Sequence, residues 1–166
     1  MVNSTANIKA HLQVPLARPC LDDDDVAAVV DVLRSGQLCQ GPRVRQFEEL
    51  LAQRVGVRSA ICVSSGSAAL LVAMQAMGIG QGDEVIVPDI TFISTATAAV
   101  YLGATPVFCD ISVGNYCMDA SKVGDLISDR TKLVVPVHLG GRVAEVTSIR
   151  AIADSSGIKI LEDAAA

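Results

Sequence analysis

Three short segments carry side chains and backbone suited to holding a charged ligand. In Val63-Ser64-Ser65-Gly66-Ser67-Ala68-Ala69-Leu70, small polar residues lead into a helix-forming run. A strand, a small-residue turn and a helix start leave backbone N–H groups free, and with the helix dipole these bind phosphate. Gly66 lets the backbone approach closely, and Ser67 can add its hydroxyl. An ordinary N-cap uses the same residues, since serine is among the best caps, and on this segment alone the cap is the simpler reading. Asp163 follows the apolar run Ile158-Lys-Ile-Leu161 and sits beside Glu162. A carboxylate at a strand end can do chemistry, cap a helix or bind a metal. Two adjacent acids cannot point the same way, so one of this pair is structural. Phe92 follows the run Glu84-Val-Ile-Val87, and its ring either packs or lies flat on a bound ring. His138, after Leu133–Val137, reads as a local hydrogen-bonding residue that shapes its loop.

Other chemistries lack their signatures. The serine turn has no G-K-[ST], which argues against nucleoside triphosphate hydrolysis. It also lacks the G-x-S-x-G elbow, so a triad of Ser65 or Ser67 with His138 and Asp163 is a poor hydrolase. Gly78-Ile-Gly80-Gln-Gly82 follows a helix and precedes a strand, the reverse of a dinucleotide fingerprint, and reads as a helix stop and turn. Asp22 to Asp25 form an acidic run, but consecutive side chains on a helix diverge, so they read as helix-start chemistry. The five cysteines are scattered without a C-x-x-C pair, and only two histidines occur. No metal site is expected, and the thiols read as reduced and mostly buried.

The balance of charge points the same way. Net charge is −5 and there is no basic stripe, so nucleic acid is not an expected partner. No apolar run approaches the roughly 20 residues of a membrane helix, and residues 1–13 lack the core of a secretory signal. A cytoplasmic location follows as the expectation. Hydrophobic residues make up 51% and charged residues 19%, which predicts elements buried on both faces and surfaces awaiting a cover.

The elements that must position these groups follow from periodicity. Residues 1–13 read as a loose arm, and residues 14–166 as part of one larger domain. Val26, Val29, Val30 and Leu33 mark one helix face before Gly36. Val44, Phe47, Leu50 and Leu51 mark a second, ending near Gly56. Strands are predicted at Ala60–Val63, Glu84–Val87, Pro106–Cys109, Leu133–Val137 and Ile158–Leu161. Helices are predicted at Ala68–Met77, Ile93–Leu102, Ala120–Ile127 and Ala144–Ser155, the Thr content of Ile93–Leu102 weakening that helix. Strands alternating with helices give an α/β fold with a mostly parallel sheet, whose ligands gather beyond the carboxyl ends of the strands. The chain stops one turn after a buried strand, which reads as truncation.

Read together, the segments resemble the DegT/DnrJ/EryC1/StrS family of sugar aminotransferases that use pyridoxal 5'-phosphate (PLP). The resemblance runs from about Val14 to the end. It rests on Ser35-Gly-Gln-Leu-Cys-Gln-Gly41-Pro42 with Phe47-Glu48, on Ser65-Gly-Ser-Ala-Ala-Leu70, and on Gly80-Gln-Gly-Asp-Glu-Val-Ile-Val-Pro88. Thr91-Phe92, Gly103-Ala-Thr-Pro-Val107, Pro136-Val-His-Leu-Gly140 and Glu162-Asp-Ala-Ala165 follow in order.

This resemblance implies the large domain of a fold type I PLP-dependent transferase, a mostly parallel sheet flanked by helices, incomplete at its C-terminus and dimeric in full-length form. It implies that the backbone at Gly66, Ser67 and Ala68 holds the cofactor phosphate, that Phe92 stacks on the pyridine ring, and that Asp163 pairs with the ring nitrogen. It implies transfer of an amino group from glutamate to a nucleotide-linked keto sugar, with a Schiff-base lysine in a downstream Ser-x-x-x-x-Lys context. Lys9, Lys122, Lys132 and Lys159 have no such context. The chain is therefore expected to be inactive alone. Ala166 stands where the family often places Gln or His against the cofactor hydroxyl. Two other readings remain: a sugar dehydratase of the same family, with His in place of the lysine, and a non-catalytic remnant or partner subunit.

Overall fold

Val85, Val87, Leu133 and Val135 pack in one apolar cluster, while their neighbours Ile86 and Val134 pack in another. Alternate residues of a strand face opposite ways, so this division marks a sheet covered on both sides. The computed structural model describes residues 18–165. They form two compact units, residues 18–62 and 63–165.

The second unit holds the sheet. Its strands are β1 (Glu84–Pro88), β2 (Thr105–Cys109), β3 (Thr131–Val134) and β4 (Lys159–Ile160), in the order β2-β1-β3-β4. All pairings are parallel, with Val85 opposite Pro106 and Leu133, and Leu133 opposite Lys159. Parallel neighbours require crossovers. Helix α4 (Ser94–Tyr101) links β1 to β2, α5 (Ala120–Val123) links β2 to β3, and α6 (Val146–Ser155) links β3 to β4. The chain steps outward from β1 to β2, then returns past β1 to β3 and β4. Crossovers of one hand put helices of opposite steps on opposite faces. Accordingly Ala98 and Ala99 of α4 join the first cluster, with Leu70 and Met74 of α3 (Gly66–Ala76). Ala120 and Val123 of α5, with Ile149 and Ala153 of α6, join the second. The reversal of direction lies between β1 and β3, where ligands of such sheets bind.

Local chemistry sets the boundaries. Ser65 caps α3 by accepting the Ala68 N–H at 3.1 Å, which moves the helix start ahead of the predicted Ala68. Gly78 and Gly82 sit at φ 80° and 90°, so that glycine pair makes the turn expected of it. Pro136 has no N–H to give the ladder, so β3 ends at Val134 rather than Val137. A single bridge, Val137 to Asp163, resumes the pairing beyond it. The predicted helix Ala120–Ile127 splits into α5 and one 3-10 turn at Gly124–Leu126. Asp119 caps α5, and the bonds it accepts from Ser121 hold its carboxyl below the usual range.

Two expectations fail. Ala60–Val63 is not a strand, because no described strand pairs with it; the Cys62 N–H instead donates to Glu48 Oε1 at 2.7 Å. The thiols are not mostly buried: Cys109 and Cys117 are, Cys62 is partly so, and Cys20 and Cys39 are exposed.

The first unit comprises α1 (Asp23–Ser35) and α2 (Pro42–Val55). Asp22 and Asp25 form a reciprocal capping box, so the acidic run is helix-start chemistry. The apolar faces predicted for these helices exist, yet Val29, Leu33, Phe47 and Leu50 are exposed, and Ala52 is the one buried residue among the described residues of this unit. The predicted arm, residues 1–13, and Lys9 lie outside the described residues. No helix among the described residues is long and apolar enough to cross a membrane.

Candidate functional site

At the carboxyl ends of β1, β3 and β4 the sheet opens into a cleft of about 340 Å³. Gly66, Ser67, Phe92, Thr95, Val137 and Asp163 are among the residues that line it. Three strand ends therefore bring together residues nearly a hundred positions apart in sequence. A larger cavity of about 650 Å³ lies in the first unit, between residues 36 and 49. Its ionisable side chains, Cys39, Arg45 and Glu49, are exposed. The smaller cleft is the candidate because it combines a buried carboxylate with an open helix start.

The carboxylate is Asp163, 7% exposed. Backbone pairing fixes its position: its N–H donates to Pro136 O at 2.9 Å, and its C=O accepts from His138 N–H at 2.9 Å. Its side chain is held as firmly. Oδ2 accepts from Thr95 Oγ1 at 2.9 Å and Oδ1 accepts from the Ala165 N–H at 3.1 Å. An ionised carboxylate has about four acceptor positions, so about two remain for a cationic ligand. Glu162 points elsewhere. It pairs with His138 Nε2 at 3.2 Å and Arg150 at 3.7 Å, which makes it the structural member of the acidic pair. His138 Nδ1 accepts the Ala144 N–H at 3.1 Å, so Nε2 carries the proton and donates to Glu162. This local role is the one expected of it.

The helix start is α3. Its first N–H groups have no partner within the helix. Ser65 takes one of them, the Ala68 N–H, with its side chain, and its C=O accepts the first helical bond from the Ala69 N–H. The Gly66 and Ser67 N–H groups remain open among the described residues. The Ser65 cap and the open N–H groups thus coexist on one turn. Ser67 Oγ lies 2.5 Å from Ser94 Oγ, which ties the start of α3 to that of α4. A Cβ at Gly66 would touch only Ala165 Cβ, at 3.5 Å.

Phe92 lies between β1 and α4 and is 74% exposed, so its ring is not committed to the core. An aromatic ring left uncovered beside a buried carboxylate and an open helix start suits a flat, anionic ligand carrying a cationic ring nitrogen. That is the outline of PLP, and the residues present fit it. Lys122, Lys132 and Lys159 do not line the cleft; Lys159 donates to Met77 O beyond the amino end of β4. Sequence reasoning missed Thr95 and Ser94. The signal was present: hydroxyl residues soon after a strand, in a segment whose helix propensity they lower.

The DegT/DnrJ/EryC1/StrS aminotransferase family matches residues 19–166. The spore coat polysaccharide biosynthesis protein SpsC of Bacillus subtilis (strain 168) is 43% identical over 152 residues, covering 92% of this chain and 39% of that protein. The UDP-4-amino-4-deoxy-L-arabinose–oxoglutarate aminotransferase of Shewanella sediminis (strain HAW-EB3) is 40% identical, with the same coverage. The solved structure of NtdA from Bacillus subtilis with bound cofactor PMP is 34% identical and has a TM-score of 0.82, covering 86% of this chain and 34% of that one. The fold type I architecture expected from the sequence is the one observed. The chain spans about two fifths of the length of the curated relatives it matches.

Proposed function

Because the chain belongs to the DegT/DnrJ/EryC1/StrS aminotransferase family, we propose that its cleft is the cofactor half of a PLP-dependent sugar aminotransferase site. The observation that carries this reading is the meeting of Asp163, the open start of α3 and Phe92 around one cleft at the strand ends. When bound, PLP supplies an electron sink for cleaving and forming bonds at the carbon that bears the amino group.

The residues divide that work. Gly66 and Ser67 N–H groups, with Ala68 behind them in the Ser65 cap, take the phosphate at the positive end of α3. Asp163, its carboxylate fixed by two hydrogen bonds, accepts the pyridinium N–H and keeps that nitrogen protonated. Phe92 lies on the ring face. None of the described lysines serves as the Schiff-base residue, so on this reading the 166 residues bind the cofactor but do not transaminate alone. In the full-length enzyme, a cytoplasmic homodimer, an amino group passes from glutamate to a keto group on a nucleotide-linked sugar. The relatives' roles in polysaccharide biosynthesis and in amination of a UDP-linked sugar support this substrate class.

Binding of pyridoxamine 5'-phosphate (PMP) tests the reading, measured by calorimetry on the chain and on Asp163→Asn. The substitution keeps the shape and removes the charge, and a charge-assisted hydrogen bond is worth about 1.5–3 kcal/mol, so affinity should fall roughly 10- to 100-fold. Equal affinity for both proteins would overturn the assignment of Asp163. Turnover of glutamate and a keto sugar by the chain alone would overturn its expected inactivity.

A further inference from the structure

Thr95 is fully buried in the first turn of α4, yet it carries a hydroxyl. Valine would fill the same space without the cost of burying a polar group, about 1–3 kcal/mol when unmatched. The hydroxyl must therefore answer to something nearby. Serine and threonine in helices usually bond back to the carbonyl a turn earlier. Thr95 does not: its Oγ1 lies 2.9 Å from Asp163 Oδ2 and 2.8 Å from Thr91 Oγ1.

Counting protons orients this chain. Each threonine hydroxyl has one proton, and an ionised carboxylate has none. Asp163 Oδ2 can only accept, so Thr95 must donate to it. With its proton spent, Thr95 Oγ1 can only accept from Thr91, which closes the sequence Thr91 O–H to Thr95 O–H to Asp163. Such a chain polarises each bond in the same direction. The Ala165 N–H on Oδ1 completes the clamp.

We propose that Thr95, supported by Thr91, is a positioning residue that holds the Asp163 carboxylate aimed into the cleft toward a cationic ring N–H. This rests on the reading of Asp163 given above. Thr95 lines the cleft but has no exposed surface, so it acts on a ligand through Asp163 rather than by direct contact.

The test compares the chain with Thr95→Val and Thr95→Ser. Each is titrated with PMP and with its 1-deaza analogue, in which carbon replaces the ring nitrogen; neither ligand carries an aldehyde that reacts with surface lysines. Hydrogen exchange at the Ala165 amide is followed in parallel without ligand. Thr95→Val should weaken PMP binding roughly tenfold, the scale of one hydrogen bond to a charged group, and leave binding of the deaza analogue unchanged. Its Ala165 amide should exchange faster as the carboxylate turns. Thr95→Ser should restore both. Equal loss for the two ligands, or no loss for either, would overturn the positioning role while leaving the cofactor reading intact. An unsubstituted chain that binds both ligands equally would overturn the assignment of Asp163 and this inference with it. Should Thr95→Val fail to fold, Thr91→Val decides: a smaller loss confined to PMP supports the chain of hydroxyls, and an equal loss for both ligands refutes it.

Discussion

Replacing Gly66 by alanine separates a glycine kept for folding from one kept for a ligand. Gly66 opens α3 with no positive φ, so an L-residue fits its backbone. The added Cβ would meet only Ala165 Cβ, at 3.5 Å, an ordinary contact. Alanine also loses less conformational freedom on folding, and such replacements at compatible sites stabilise by about 0.4–1 kcal/mol. A unit of about 100 residues gains roughly 4–8 °C in Tm per kcal/mol, so Gly66→Ala should melt roughly 2–8 °C higher. If the phosphate approaches the backbone at Gly66 as proposed, the same methyl group crowds that approach. Losing one hydrogen bond to that anion costs about 1.5–3 kcal/mol, a weakening of PMP binding by roughly 10- to 100-fold. Scanning calorimetry gives the first number and a PMP titration the second. Higher stability with unchanged PMP affinity would refute the phosphate assignment. A lower Tm would refute the reading of the local backbone.

Four other consequences follow from the structure. Glu84, 7% exposed at the amino end of β1, accepts from Ser128 and pairs with Arg130; Glu84→Ala should cost about 1–3 kcal/mol in urea unfolding and leave PMP affinity unchanged, because it lies at the opposite end of the sheet from the cleft. Burial, with Asp119, Asp110 and Asp89 adding to it and Lys122 opposing, pushes the Cys109 thiol up to about 11 from an ordinary 9.0. The folded state then holds this proton more tightly than the unfolded one, so the contribution is full below pH 9 and is lost as pH rises toward 11, on the order of 2 kcal/mol, measurable as a falling urea midpoint that Cys109→Ala lacks. A thiol reagent near pH 8 should label Cys20 and Cys39 rapidly and Cys109 only on unfolding. In the first unit, Asp22→Ala removes half of the capping box and should destabilise α1 by about 1 kcal/mol, seen as faster amide exchange at Asp25.

What could be read along the chain was what depends on neighbours in sequence. Ser65 announced the start of α3, the Asp22–Asp25 run announced a capped helix, and Gly78 and Gly82 announced a turn, because caps and positive φ are set within a few residues. Alternating strands and helices specified a parallel sheet, and that sheet's carboxyl end specified where to look for Asp163 and Phe92. Ala60–Val63 shows the limit: its composition suits a strand, but a strand exists only when another lies beside it, and none of the described strands does.

The interior of the cleft was decided by tertiary structure. Thr95 and Asp163 are 68 positions apart, and their bond exists only because β1 and β4 end at the same level of one sheet. In sequence the same threonine registers merely as a weak helix former. Of the two acids at 162 and 163, adjacency alone says that they diverge; the bridge between Val137 and Asp163 decides which one enters the cleft. The sequence by itself determined the family, the order of the elements and the turn chemistry, since each is written in local pattern. Which polar groups meet, and hence which carboxylate is fixed in the cleft, was decided by strand order, since only packing brings distant residues within hydrogen-bond range.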